Sequence, residues 1–145
     1  MRTPPIPIEV IWSMAGESKK KVLLVDDDAD FVAANRIALE AKGYQVVTAP
    51  DSRAGVETAL REVPDLVVVD LMMEELDAGF ALVESLQNHP KTAGVPILMV
   101  SGVTTALGFR VDQEGSAPGW LQVTEFVNKP IDPVDLAEKV ATHLG

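Results

Sequence analysis

The chain has 145 residues, of which 47% are hydrophobic, and its formal net charge is −10 at pH 7. This length suits one domain with a single core, and the hydrophobic content excludes an intrinsically disordered chain. The excess of acidic residues disfavours nucleic-acid and membrane partners. The lack of cysteine excludes disulfides and suits a reducing cytoplasm. No apolar run reaches the roughly 18 residues of a membrane span.

Residues 1–18 precede the predicted domain and show no regular period. Prolines interrupt the segment, which argues against a secretory signal. We interpret it as a flexible extension in which residues 1–13 are a dispensable leader or a misassigned start before Met14. The alternative is a segment that docks a partner through three apolar side chains: Ile8, Ile11 and Trp12. Residues 19–145 form the predicted domain.

Five strands are predicted along the domain. Four apolar runs are nearly continuous and end in a polar residue, which is typical of parallel strands covered on both faces. They occupy residues 22–26, 66–70, 97–101 and 126–129. A weaker strand is expected at residues 44–49.

Helical patterns separate the predicted strands. Each has recognisable ends: a glycine after the first, a serine before the second, prolines after the second and third, and an Asp-Pro start for the last. The first helix is expected from residue 30 to 42 before Gly43, and the second from the N-cap Ser52 to a stop before Pro64. The third is expected from 79 to 88, and the last from the cap Asp132 onward. Because glycines and a proline interrupt residues 108–120, the fourth helix should be short, about residues 104–107.

This alternation of strand and helix predicts an α/β fold, a doubly wound parallel sheet with helices on both faces and right-handed crossovers. In such sheets, ligands bind outside the carboxyl ends of the strands. Polar residues from four strands are predicted there: Asp26 to Asp28, Asp70, Ser101 and Lys129. Each alone has an ordinary explanation as a turn residue, a helix cap or a solvated charge, but their convergence favours a site.

The residue types at this edge are chemically consistent with one another. Crowded carboxylates repel unless a cation joins them, and an all-oxygen cluster suits Mg²⁺. A lysine adds a mobile positive charge, and a serine hydroxyl adds a donor for a phosphoryl oxygen. Together they have the composition of a phosphoryl-transfer site in which the aspartates hold a metal.

The sequence resembles the receiver domain of two-component response regulators over about residues 20–145. The motifs that carry the resemblance are VDDD at 25–28, VVVD at 67–70, MVSG at 99–102 and NKP at 128–130. The resemblance implies a flavodoxin-like sheet with strand order 2-1-3-4-5. It also implies a non-enzymatic phosphorelay protein, able to catalyse its own phosphorylation and dephosphorylation.

For the acceptor and the metal, the resemblance implies four residues. Asp70 matches the phosphoacceptor, which takes the phosphoryl group from a histidine kinase, a phosphotransfer protein or a small phosphodonor. Asp27 matches the direct Mg²⁺ ligand, and Asp26 matches the neighbouring acid that often acts through water. Asp70 itself is the third carboxylate of the implied metal site. Met72 matches the position whose backbone carbonyl completes the metal shell.

The remaining implied roles concern the phosphoryl group and the switch. Ser101 matches the hydroxyl that bonds the phosphoryl group, and Gly102 keeps its approach open. Lys129 matches the lysine that pairs with the phosphate, and the bond from it to Pro130 is a candidate cis peptide. Phe126 falls at the switch aromatic, without the hydroxyl of a tyrosine.

The chain departs from the family pattern after Asp70, where LMMEELDAG lacks the usual proline and is one residue longer. We expect Glu74 and Glu75 to crowd the site with negative charge. Residues 103–120 are also irregular. Since the last helix ends at Gly145, we expect a stand-alone, chemotaxis-regulator-like domain that signals through a downstream protein rather than through an output domain of its own.

Three alternatives compete with this interpretation. A haloacid-dehalogenase-like phosphatase would use Asp26 as nucleophile and Asp28 as acid, but it leaves Asp70 without a role. A flavodoxin-like cofactor binder would need a phosphate-cradling loop where the three aspartates stand. A receiver-like interaction module would keep the fold without phosphorylation.

Overall fold

A computed structural model describes residues 19–70, 78–101 and 123–144 of the chain. In these ranges, strands and helices occur in the order β1 (Lys21–Val25), α1 (Ala29–Ala41), β2 (Gln45–Ala49), α2 (Ser52–Glu62), β3 (Leu66–Asp70), α3 (Ala78–Gln87), β4 (Ile97–Ser101), β5 (Glu125–Asn128) and α4 (Pro133–Leu144). Every predicted strand is confirmed to within one residue at each end. The predictions for residues 1–18 and for the short helix at 104–107 lie outside the described residues.

The five strands form one parallel sheet in the order β2-β1-β3-β4-β5. This confirms the predicted fold class and the strand order that the resemblance implied. The register aligns the carboxyl ends of the strands, since Val25 pairs with Val69, Asp70 with Val100, and Ser101 with Asn128. Side chains that follow these ends therefore meet along one edge of the sheet.

The strands are covered on both faces, as their continuous apolar sequences predicted. Alternate strand residues point into two separate cores because successive side chains of a strand face opposite sides. The first core joins the sheet to α2 and α3 and includes Leu23, Val25, Val67, Val69, Met99, Ala59, Leu82 and Leu86. The second core joins it to α1 and α4 and includes Val22, Leu24, Val68, Leu98, Leu39, Leu136 and Val140.

Helix ends are set by short-range hydrogen bonds. Gly43 has φ 95°, the left-handed conformation expected after α1. The predicted N-cap Ser52 is wrong by one residue, because the Asp51 carboxylate accepts the Ala54 N–H at 2.8 Å and Ser52 is the first residue of α2. Asp132 accepts the Val134 N–H at 2.9 Å, as expected for the cap of α4. Among the described helices, none is long and apolar enough to cross a membrane.

Candidate functional site

Three carboxylates converge at the carboxyl edge of the sheet: Asp26, Asp27 and Asp70. One oxygen from each lies within 4.8 Å of the others. Asp26 and Asp70 are buried, with 4% and 6% of their surface exposed, whereas Asp27 is exposed. The cluster therefore has two carboxylates fixed in the protein and a third at the solvent side.

The sheet itself places the two buried carboxylates side by side. Asp26 directly follows β1, and its backbone N–H continues the ladder by donating to the Ala49 carbonyl at 3.1 Å. Asp70 is the last residue of β3, the strand next to β1. Because adjacent strands lie about 4.8 Å apart, carboxylates at neighbouring strand ends are brought close together.

The third aspartate of the VDDD motif has a different role. The Asp28 carboxylate caps α1 by accepting the N–H groups of Asp30 and Phe31, at 3.0 and 3.2 Å. Its own backbone N–H donates to Asp26 Oδ1 at 2.8 Å. Asp28 thus orients Asp26 and starts the helix. The interpretation that all three aspartates hold a metal is too broad, since the cluster contains Asp27 but not Asp28.

Lys129 supplies the positive charge of the site. Its Nζ lies 3.4 Å from Asp26 Oδ2 and 3.4 Å from Asp70 Oδ2, and its side chain is 24% exposed. Charge-assisted hydrogen bonds are usually about 2.7–2.9 Å long, so the ammonium is shared between the two carboxylates and tightly paired with neither. The peptide bond from Lys129 to Pro130 is cis, as the resemblance implied.

An aromatic residue that the sequence interpretation missed also contacts this lysine. The Lys129 Nζ lies 4.2 Å from the centroid of the Phe31 ring, over its face. The sequence signal was limited to an apolar position in the first turn of α1, which reads as an ordinary core residue. Nothing in the spacing links it to a lysine after the last strand.

The electrostatics of the site centre on Asp26. Burial raises the pKa of Asp26 from 3.8 to about 6. The hydrogen bond from the Asp28 N–H opposes this rise, the Asp70 charge adds to it, and the Lys129 charge again opposes it. Asp26 is therefore ionised at neutral pH but holds a proton in mildly acidic solution.

The structure describes two of the other predicted site residues, Ser101 and Phe126, and does not describe the rest. Ser101 ends β4, with its backbone beside Asn128, and so lies on the same edge as the acids. Phe126 is 7% exposed and belongs to the first core. Further residues with predicted roles lie outside the described residues: Met72, Glu74, Glu75, Gly102 and the irregular segment 103–120.

Curated proteins similar to this chain are regulators. The chain is 34% identical over 121 residues to the response regulator PleD of Caulobacter vibrioides, covering 83% of this chain and 25% of PleD. It is 35% identical over 128 residues to the probable transcriptional regulator ycf27 of Guillardia theta, covering 88% and 46%. The chain thus spans less than half the length of these relatives.

Solved structures agree with the sequence relatives. The chemotaxis response regulator CheY4 of Vibrio cholerae is 28% identical, with a TM-score of 0.72 over 87% of this chain and 99% of that chain. A CheY-like receiver domain protein of Methanospirillum hungatei is 27% identical, with a TM-score of 0.69 over 88% and 94%. The family profile described as "Response regulator receiver domain" matches residues 22–141. The chain therefore belongs to the response regulator receiver domain family.

Proposed function

We propose that this receiver domain accepts a phosphoryl group on the Asp70 carboxylate with the help of Mg²⁺, and signals through contacts with other proteins. The observation that carries this proposal is the shared ammonium: Lys129 lies 3.4 Å from both Asp26 and Asp70. Because neither carboxylate binds it tightly, the Lys129 ammonium can shift to pair with the negatively charged oxygens of an added phosphoryl group.

In the proposed reaction, an Asp70 oxygen attacks the phosphorus of the donor. The new oxygen–phosphorus bond takes its electron pair from the carboxylate. The bond from phosphorus to the donor breaks at the same time, and its electron pair leaves with the imidazole nitrogen of a phosphohistidine or with the acetate of acetyl phosphate. The product is an acyl phosphate on Asp70, with Lys129 beside its oxygens.

The residues present fit a magnesium site. Carboxylate oxygens are the donors that Mg²⁺ prefers, and the exposed Asp27 leaves an open side for water and for the phosphoryl group. Asp26, Asp27 and Asp70 would hold the ion, together with the Met72 carbonyl that the resemblance implies. When bound, Mg²⁺ supplies positive charge that offsets the phosphoryl oxygens.

Further residues extend the proposal. Ser101 would donate its hydroxyl to a phosphoryl oxygen, and Phe126 would repack in response. The donor would be a histidine kinase or a phosphotransfer protein of the cytoplasm. Although relatives include a DNA-binding regulator, RpaA of Synechocystis, the net charge of −10 favours protein partners for this domain.

The structure argues against the phosphatase alternative. That alternative needs Asp28 as a general acid, but the Asp28 carboxylate is engaged as the cap of α1. A receiver-like interaction module remains the competing proposal, and phosphoryl labelling separates the two.

We expect the intact protein to gain one phosphoryl group when it is incubated with acetyl phosphate and Mg²⁺, because the site combines a buried nucleophile, a lysine and metal-binding oxygens. Mass spectrometry of the intact chain measures the adduct. EDTA should prevent it. If no adduct forms and beryllofluoride does not bind either, the domain is an interaction module and the proposal is wrong.

Mg²⁺ affinity should depend on pH through Asp26. The ion competes with the proton on this carboxylate, whose pKa is raised to about 6, so we expect binding to be about tenfold weaker near pH 5 than near pH 7. Isothermal titration calorimetry measures the affinity. Asp26→Asn should weaken binding at every pH and flatten the dependence. A wild-type affinity that is constant over this range would contradict the role of Asp26.

A further inference from the structure

The Lys129 ammonium has three neighbours that could fix its position. Two are the carboxylates of Asp26 and Asp70, both at 3.4 Å. The third is the Phe31 ring, whose centroid lies 4.2 Å from Nζ. A cation over an aromatic face at this distance is attracted by the negative charge density of the ring.

The Phe31 ring is partly buried. It packs against the second core, together with Val32 of the same helix and Ile131. Its backbone is fixed as well, because the Phe31 N–H donates to the Asp28 carboxylate at 3.2 Å and its carbonyl accepts from Asn35 Nδ2 at 2.7 Å. Asn35 is itself buried, so this second contact is partly shielded from water.

The lysine is the mobile partner of the pair. Its side chain is flexible, partly exposed, and too far from either carboxylate for a short ion pair. Without the ring, the ammonium would be free to close on one carboxylate or to turn toward solvent. In both cases it would leave the place between Asp26 and Asp70.

We propose that Phe31 is a positioning residue: its ring holds the Lys129 ammonium between the two carboxylates, ready to pair with a phosphoryl group on Asp70. This inference rests on the proposed function of Asp70. Asp28 contributes indirectly, because its carboxylate caps α1 and so fixes the helical turn that carries Phe31.

The placement of the ammonium can be measured without any phosphoryl transfer. Protons above an aromatic face are shifted upfield in NMR spectra, so the Lys129 methylene protons next to Nζ should show such a shift in protein labelled with ¹³C-lysine. Phe31→Leu keeps an apolar side chain but removes the ring, and should abolish the shift. Phe31→Tyr keeps the ring and should retain it. An unchanged Lys129 signal in Phe31→Leu would overturn the inference.

The second readout is the rate of labelling by acetyl phosphate at saturating Mg²⁺. We expect Phe31→Leu to react about three- to tenfold more slowly than the wild type, which is the range of a partly buried cation–π contact. Phe31→Tyr should restore the rate. A wild-type rate in Phe31→Leu, or no recovery in Phe31→Tyr, would contradict a positioning role.

Leu39→Val is the matched control, because Leu39 lies about two turns further along α1 and belongs to the second core. It should lower stability yet leave the Lys129 signal and the labelling rate unchanged. If Phe31→Leu does not fold, Phe31→Met provides the same comparison. If the wild type takes no phosphoryl group, the proposed function fails, whereas the NMR comparison still decides whether the ring holds the lysine.

Discussion

Asp70→Asn is expected to abolish phosphoryl labelling. An amide has no anionic oxygen to form the bond to phosphorus, and the Asp26 carboxylate beside it is partly occupied by the Asp28 N–H. Mass spectrometry after incubation with acetyl phosphate and Mg²⁺ measures the loss. Labelling that persists at the wild-type level would mean that another carboxylate is the acceptor.

Asp65→Asn is the matched control for this substitution. Asp65 immediately precedes β3, which Asp70 ends, so the two aspartates stand at opposite ends of one strand. The Asp65 carboxylate accepts the Lys21 N–H at 2.7 Å, far from the acidic cluster. We expect this variant to be labelled at the wild-type rate. A loss of labelling in both variants would indicate damage to the strand rather than to the site.

The same Asp70→Asn variant should change how stability depends on pH. Burial raises the pKa of Asp26 to about 6, above the unfolded value near 3.8, and the Asp70 charge adds to this rise. The folded state therefore binds more protons than the unfolded state between these values, and stability falls as pH rises through this window. Without the Asp70 charge the fall should be smaller, as urea unfolding across the window would show.

The second large effect is expected for Lys129→Met, which removes the ammonium and keeps most of the apolar stem. We expect labelling to slow by about 10²- to 10³-fold, the usual loss when one charged or hydrogen-bonding group that stabilises a transition state is removed. The variant should also raise the pKa of Asp26 further, because Lys129 lowers it. Rates come from mass spectrometry, and the pKa comes from NMR titration of the Asp26 carboxyl carbon.

Lys139→Met tests whether any half-buried, paired lysine would give this result. The Lys139 Nζ lies 2.6 Å from Glu125 Oε2, and Glu125 keeps a second partner in His143 at 2.9 Å. This ion pair joins α4 to the start of β5 and does not face the acids. We expect wild-type labelling. Equal losses in the two lysine variants would argue that Lys129 acts only through stability.

The fold could be predicted because its strongest signals are local. Runs such as LVVVD are apolar at every position, and only a strand between two helical layers buries both of its faces. The start of α2 was harder to place, because Asp51 and Ser52 are adjacent and either residue can cap a helix. Hydrogen-bond geometry decides between them, and the sequence does not contain it.

The site could be predicted only in part. Asp26, Asp70 and Lys129 converge because the carboxyl ends of parallel strands coincide, which needs no knowledge of helix packing. Asp28 has the same side chain as its neighbours but caps a helix, so residue type alone does not separate the two roles. The contact between Phe31 and Lys129 depends on how α1 packs against the sheet. The two residues are far apart in the sequence, and nothing in their spacing indicates that contact.

The strand order attaches the site residues to strands that differ in how readily their backbone hydrogen bonds open. β1 and β3 each have a hydrogen-bonded neighbour on both sides, whereas β5 pairs only with β4 among the described strands. Backbone amides in the middle of a sheet open least often, and local opening begins at its edges. We therefore expect slow hydrogen exchange in the strands that carry Asp26 and Asp70, and faster exchange in the strand that precedes Lys129. We therefore expect the lysine and its strand to move more readily than the two buried acids when the charge of the site changes.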